Sequence, residues 1–126
     1  GNPHCTFFVE DIDSFDIVTF GKSYEKHQLF PERTNVQLAQ IMQNNTIRVK
    51  VWERGAGKTL ASGSSSCAVA VAACRRGLVK KTSKIILDGG ELQIVWSKDG
   101  VWMSGETRKI FEGTLSDDFF SQVERS

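Results

Sequence analysis

The sequence predicts an α+β domain in which an antiparallel sheet is rolled around one central, buried helix, and three observations carry that expectation. Ser64 to Arg76 has a helix start and a helix stop but no polar face; Ile47, Val49 and Val51 alternate with Arg48, Lys50 and Trp52; and Lys84 to Glu106 is divided by Asp88-Gly89-Gly90 and Asp99-Gly100. A length of 126 residues suits one domain, and 40% apolar residues can fill its core, with 25% charged residues to cover it.

Taken in order, Cys5 to Glu10 and Asp16 to Gly21 read as strands. Ser23 to Leu29 reads as a short helix ending before Pro31, because a proline ring disfavours helical backbone in the residue ahead of it. Ile47 to Glu53 has the period of two of a half-buried strand. The helix that follows opens on Ser64, Ser65 and Ser66, whose hydroxyls can cap free amides, and stops at Arg75, Arg76 and Gly77. Between those ends Cys67 to Cys74 is apolar throughout, so the helix is expected to be buried on every side. Its small side chains let strands approach closely. Lys84 to Glu106 then reads as three antiparallel strands joined by two glycine-containing hairpin turns.

Charge and composition narrow the partners. Sixteen basic and fifteen acidic residues give a net charge of +1, and the basic residues are scattered, so the stripe that a nucleic-acid binder needs is missing. No apolar run approaches the roughly 20 residues of a membrane span, and nothing at the start reads as a signal peptide. Three cysteines without CxxC spacing suggest reduced thiols in the cytoplasm rather than a disulfide framework, and they offer no metal site. The chain starts at Gly1 rather than Met, as expected of a processed product or an excised domain.

The richest stretch is "ERGAGKTLASGSSSCAVAVAACRRG", Glu53 to Gly77. A helix start opening into a glycine-rich loop presents free amides with the positive end of the helix dipole behind them, which suits a carboxylate or phosphate. Gly55, Gly57 and Gly63 permit close approach of a ligand, and Glu53 with Arg54 can fix a second, zwitterionic group. An amino acid carries both kinds of charge. The alternative, that the glycines only turn the chain and the serines only cap the helix, is open on these residues alone.

"GNPHC" at Gly1 to Cys5, "FPERTNVQ" at Phe30 to Gln37, "VWERGAGKTLASGSSSCA" at Val51 to Ala68 and "FEGTL" at Phe111 to Leu115 resemble, in order and spacing, the C-terminal half of the diaminopimelate epimerase family. The resemblance covers nearly the whole chain. It implies one half of a fold built from two similar domains, with 1–126 as the C-terminal domain and the N-terminal domain absent. It also implies a homodimer and a reaction without pyridoxal phosphate or any other cofactor. In that reaction one cysteine removes the α-proton of an amino acid while a second, from the other domain, returns a proton on the opposite face. LL-diaminopimelate becomes the meso form, a precursor of lysine and peptidoglycan. Carried over residue by residue, Asn2, Asn35, Glu53 and Arg54 would bind the distal polar end of the substrate. Gly63 and Ser64 would offer amides to its α-carboxylate. His4 would sit near the catalytic pair, either as a participant or as a histidine hydrogen-bonded beside the cleft.

The pattern breaks at one place. The family motif reads Ala-Cys-Gly-Thr/Ser-Gly, and this chain has Ala61-Ser62-Gly63-Ser64-Ser65, so a hydroxyl stands where the catalytic thiol is expected. A serine hydroxyl ionises far less readily than a thiol of reference pKa about 8.5 and is a poor base towards carbon. Cys5, Cys67 and Cys74 read as packing residues rather than relocated bases. Ser62 then marks an engineered Cys→Ser change, a relative with another proton-transfer arrangement or another amino-acid substrate, or a silent domain that binds an amino acid or a partner.

Overall fold

The structure is a computed structural model that describes residues 2–105. Phe111 to Leu115, one of the segments carrying the family resemblance, lies outside the described residues. Seven strands and two α-helices follow one another as β1 (His4–Phe8), α1 (Ile17–Tyr24), β2 (Asn35–Ile41), β3 (Thr46–Glu53), β4 (Gly57–Thr59), α2 (Gly63–Arg75), β5 (Thr82–Leu87), β6 (Gly90–Ser97) and β7 (Gly100–Gly105). One sheet orders them β1-β2-β3-β5-β6-β7, with β4 also paired to β3. The α+β class and the sheet around a helix are as expected.

The expectation that every strand pairing is antiparallel needs correction. β1 pairs β2 in parallel, His4 opposite Asn35, and β3 pairs β5 in parallel over Thr46 to Arg48. The reason is the connections. A parallel neighbour requires a crossover, and here one crossover carries α1 and the other carries β4 and α2. β3 thereby holds two partners on one edge, β5 against its first residues and β4 against Val51 to Glu53.

α2 is the core. Val69 and Val71 are wholly buried, and Cys67, Ala68 and Ala73 are within 1% of it; they pack among Ile47, Val49, Ile85 and Ile94 from the surrounding strands. The helix runs from Gly63 to Arg75, one residue earlier at each end than Ser64 to Arg76. Burying aliphatic side chains of this size contributes roughly 1.5 to 3 kcal/mol each, so the helix is held by its surroundings rather than by its own propensity.

The segment Asp16 to Gly21 is the start of α1, not a strand. Asp16 caps it, accepting from the Val18 amide at 3.1 Å and the Thr19 hydroxyl at 2.9 Å, and Ile17 and Gly21 share the buried face. β-Branched Val18 and Thr19 suggest a strand, but the aspartate cap and tertiary burial decide for the helix. Gly21 is required there, because a Cβ at that position would fall inside the Trp52 ring. The short helix expected over Ser23 to Leu29 is displaced for the same reason, since α1 has already ended at Tyr24. β2 has no counterpart among the expected strands. Its first five residues, "NVQLA", are all buried, so it shows no alternation, and buried Asn35 and Gln37 interrupt its apolar character.

Candidate active site

The head of α2 is built by Ser62. Its backbone is extended (φ −151°, ψ 118°), its Oγ accepts from the Ser65 amide at 3.3 Å, and its carbonyl accepts from the Ser66 amide at 3.0 Å and the Ser66 hydroxyl at 2.7 Å. Ser62 is therefore the N-cap. Among the described residues the Gly63 and Ser64 amides are left as the helix's unpaired donors, with the positive end of the dipole behind them. Ser62 also lines a cavity of about 400 Å³, whose other walls include Leu87, Glu91, Leu92 and Met103. A Cβ at Gly63 would lie 2.8 Å from Met103 Cε, the flexible end of a side chain that can shift to admit it.

A second polar group forms where β1, β2 and the end of β3 meet. Asn35 Nδ2 donates to Asn2 Oδ1 at 2.7 Å and to the Pro3 carbonyl at 2.9 Å, while Asn35 Oδ1 accepts from the Arg54 amide at 2.8 Å. The Arg54 guanidinium donates to the Glu32 carbonyl at 3.3 Å. Three of the four residues expected to hold the distal end of a substrate are thus joined directly. The fourth, Glu53, closes β3, and its carbonyl accepts from the Ala56 amide in the turn to β4.

His4 and the head of α2 are linked through a residue to which the sequence assigned no role. Gln37 is wholly buried on β2; its Nε2 lies 2.9 Å from His4 Nδ1 and 3.0 Å from Ser65 Oγ, and its Oε1 accepts from the Thr6 hydroxyl at 2.9 Å. The sequence signal was a glutamine two residues beyond Asn35, on the same face of one strand. Glu25 was missed too. Its carboxylate accepts from Trp52 Nε1 at 2.6 Å and from Arg33 at 3.4 Å, and its carbonyl accepts from the Thr34 amide at 3.0 Å, which ties down the loop leading into Asn35.

Burial disfavours the charged forms of the His4 imidazole and of the Cys5 and Cys67 thiols. Burial first, and then the charge of Arg54, push the His4 imidazole down to about 4, so it is neutral near pH 7. Burial pushes the Cys67 thiol up to about 12, with its Sγ 3.7 Å from Met103 Sδ, and raises Cys5 as well. Both thiols are packing groups, as their positions suggested. Among the described residues no cluster of His, Cys, Asp and Glu is arranged to hold a metal ion, and no helix is long and apolar enough to cross a membrane.

The fold recurs in a phenazine biosynthesis protein of the PhzF family from Bacillus anthracis, with a TM-score of 0.53 and 20% identity, over 82% of this chain and 34% of that one. That likeness speaks for the fold alone. By sequence, the chain is 51% identical to the diaminopimelate epimerase of Rhodospirillum centenum over 118 residues, 93% of this chain and 40% of the relative. It is 46% identical to that of Methylorubrum populi over 126 residues, 98% of this chain and 43% of the relative. The chain therefore spans about two fifths of the length of these relatives. The family model described as diaminopimelate epimerase matches residues 1–110, and the chain belongs to that family.

Proposed function

We propose that the chain is the C-terminal domain of a cofactor-independent amino-acid epimerase, with diaminopimelate as the substrate, acting in the cytoplasm in lysine and peptidoglycan precursor synthesis. The observation that carries this reading is the pairing of two polar stations on one frame. At one, Asn2, Asn35 and Arg54 are bonded together; at the other, the Gly63 and Ser64 amides open from the head of a buried helix. An amino acid with a second polar end would span them, its α-carboxylate on the helix amides and its distal group on Asn2, Asn35, Glu53 and Arg54. Ser62 would then face the α-carbon, and His4 would stand beside it.

The two-base reaction needs one group to take the α-proton and a second, on the opposite face, to return one to the carbanion. A second domain would supply one thiol. Ser62 supplies no comparable acid or base, because its hydroxyl ionises far above any working pH and caps a helix. We therefore assign substrate binding to this domain and expect proton transfer to be weak as long as Ser62 stands. The decisive test joins the chain to a cysteine-bearing first domain of a relative and follows α-hydrogen exchange of diaminopimelate in deuterated water. Ser62→Cys should raise exchange by about 10²- to 10⁴-fold, the scale of a positioned acid–base group. Equal rates for the two forms would overturn the assignment of Ser62 to the α-carbon. A second reading, a silent amino-acid-binding domain, is favoured by the engaged Ser62 hydroxyl and the unreactive Cys67. It predicts retained substrate binding with no exchange in either form.

A further inference from the structure

We propose that Gln37 is a positioning residue that sets the tautomer of His4: its buried amide donates to Nδ1 and leaves the imidazole proton on Nε2, so that His4 acts as a neutral hydrogen-bond donor rather than a base. An amide nitrogen carries two protons and no lone pair available to accept. Gln37 Nε2 has two acceptors within reach, His4 Nδ1 at 2.9 Å and Ser65 Oγ at 3.0 Å, and Gln37 Oε1 is occupied by the Thr6 hydroxyl at 2.9 Å. His4 Nδ1 must then present its lone pair, and a neutral imidazole has only one other nitrogen for its proton. Protonating Nδ1 would set two donors against each other in a place from which water is excluded, since Gln37 is wholly buried and His4 is 1% exposed.

The same amide holds the third residue of α2, so one side chain on β2 fixes both the imidazole on β1 and the head of the helix. The consequence for chemistry is specific. An Nε2–H group can hold an oxygen or a thiolate, but it cannot relieve a neighbouring thiol of its proton. This consequence rests on the reading of the α2 head as the substrate site; the position of the proton does not.

The test is ¹⁵N NMR of the chain carrying His27→Gln, which leaves His4 as the sole imidazole. At neutral pH the correlations between ring nitrogens and ring protons should show Nδ1 bare and Nε2 protonated. Gln37→Glu replaces the donor by an acceptor-only carboxylate and should move the proton to Nδ1, a change of about tenfold or more in the tautomer ratio. Gln37→Met, similar in length but without a donor, should leave a mixture. A bare Nε2 in the unsubstituted chain would overturn the proposal without any variant needing to fold, as would an unchanged tautomer in folded Gln37→Glu. Absent α-hydrogen exchange in the Ser62→Cys form joined to a cysteine-bearing first domain, with Nε2 protonated, would leave this proposal standing and count only against the epimerase reading.

Discussion

The two flanks of the sheet bury different things against α2. On the β5-β6-β7 side the buried residues are Ile85, Leu87, Ile94, Val101 and Met103, with Ser83 as the one polar exception. On the β1-β2 side they include His4, Asn35 and Gln37, and the helix answers them with Ser65, whose hydroxyl accepts from Gln37. An apolar flank needs only shape and volume. A polar flank needs a partner for every donor and acceptor, so it specifies where each side chain lies. The difference teaches that close apolar packing and a specified hydrogen-bond network are drawn from opposite sides of one helix.

The largest expected effect probes the apolar flank. Ile94→Ala removes a wholly buried side chain and should cost about 4 kcal/mol in chemical denaturation, through lost transfer and cavity terms. The comparison is sharpened if His4 keeps its NMR signature in that variant, and broken if a cavity under β6 disturbs the imidazole. A smaller effect belongs to the polar flank. The His4 imidazole binds a proton near its ordinary 6.5 when the chain is unfolded and near 4 when it is folded, so between those values the unfolded state holds more protons. Stability should be fully present above about pH 6.5 and fall as pH drops towards 4, by about 3 kcal/mol in all. Denaturation midpoints across this window for the chain and for His4→Gln isolate the contribution, and parallel pH profiles would refute it. The smallest effect lies where the flanks meet: Ser62→Ala deletes the N-cap acceptor and should cost about 1 kcal/mol, read as a lowered midpoint with an unchanged denaturant slope.

The same division governs how much of the molecule was legible in its sequence. β3, α2 and the three-stranded meander could be read because their binary pattern matches their environment: alternation on a half-buried strand, small apolar residues on an enclosed helix, glycine at the hairpin turns. β2 could not, because five consecutive buried residues that include Asn35 and Gln37 obey neither pattern. α1 was misread for a different reason. Its β-branched residues favour a strand locally, and what makes it a helix is the Asp16 cap and the contact of Gly21 with Trp52, which is distant in sequence. Candidate residues in quoted family segments, such as Asn2, Asn35 and Arg54, are named from the resemblance, and they lie together in the structure. The Asn2–Asn35 bond depends on the parallel pairing of β1 with β2, and the Asn35–Arg54 bond on the antiparallel pairing of β2 with β3; no local signal announces either.

The cap at Ser62 bears on how such a protein can change over time. One side-chain atom at the entrance to α2 is claimed by two demands: a helix start favours a good hydrogen-bond acceptor, and an epimerase needs an ionisable sulfur. Serine is among the best residues for the first demand and cysteine is the residue for the second, so no single side chain satisfies both. A thiol there spends part of the helix's stability on reactivity, and a hydroxyl reverses the exchange. If the proposed reading of the α2 head holds, Ser62 places this chain on the durable side of that trade-off, one substitution from the reactive side.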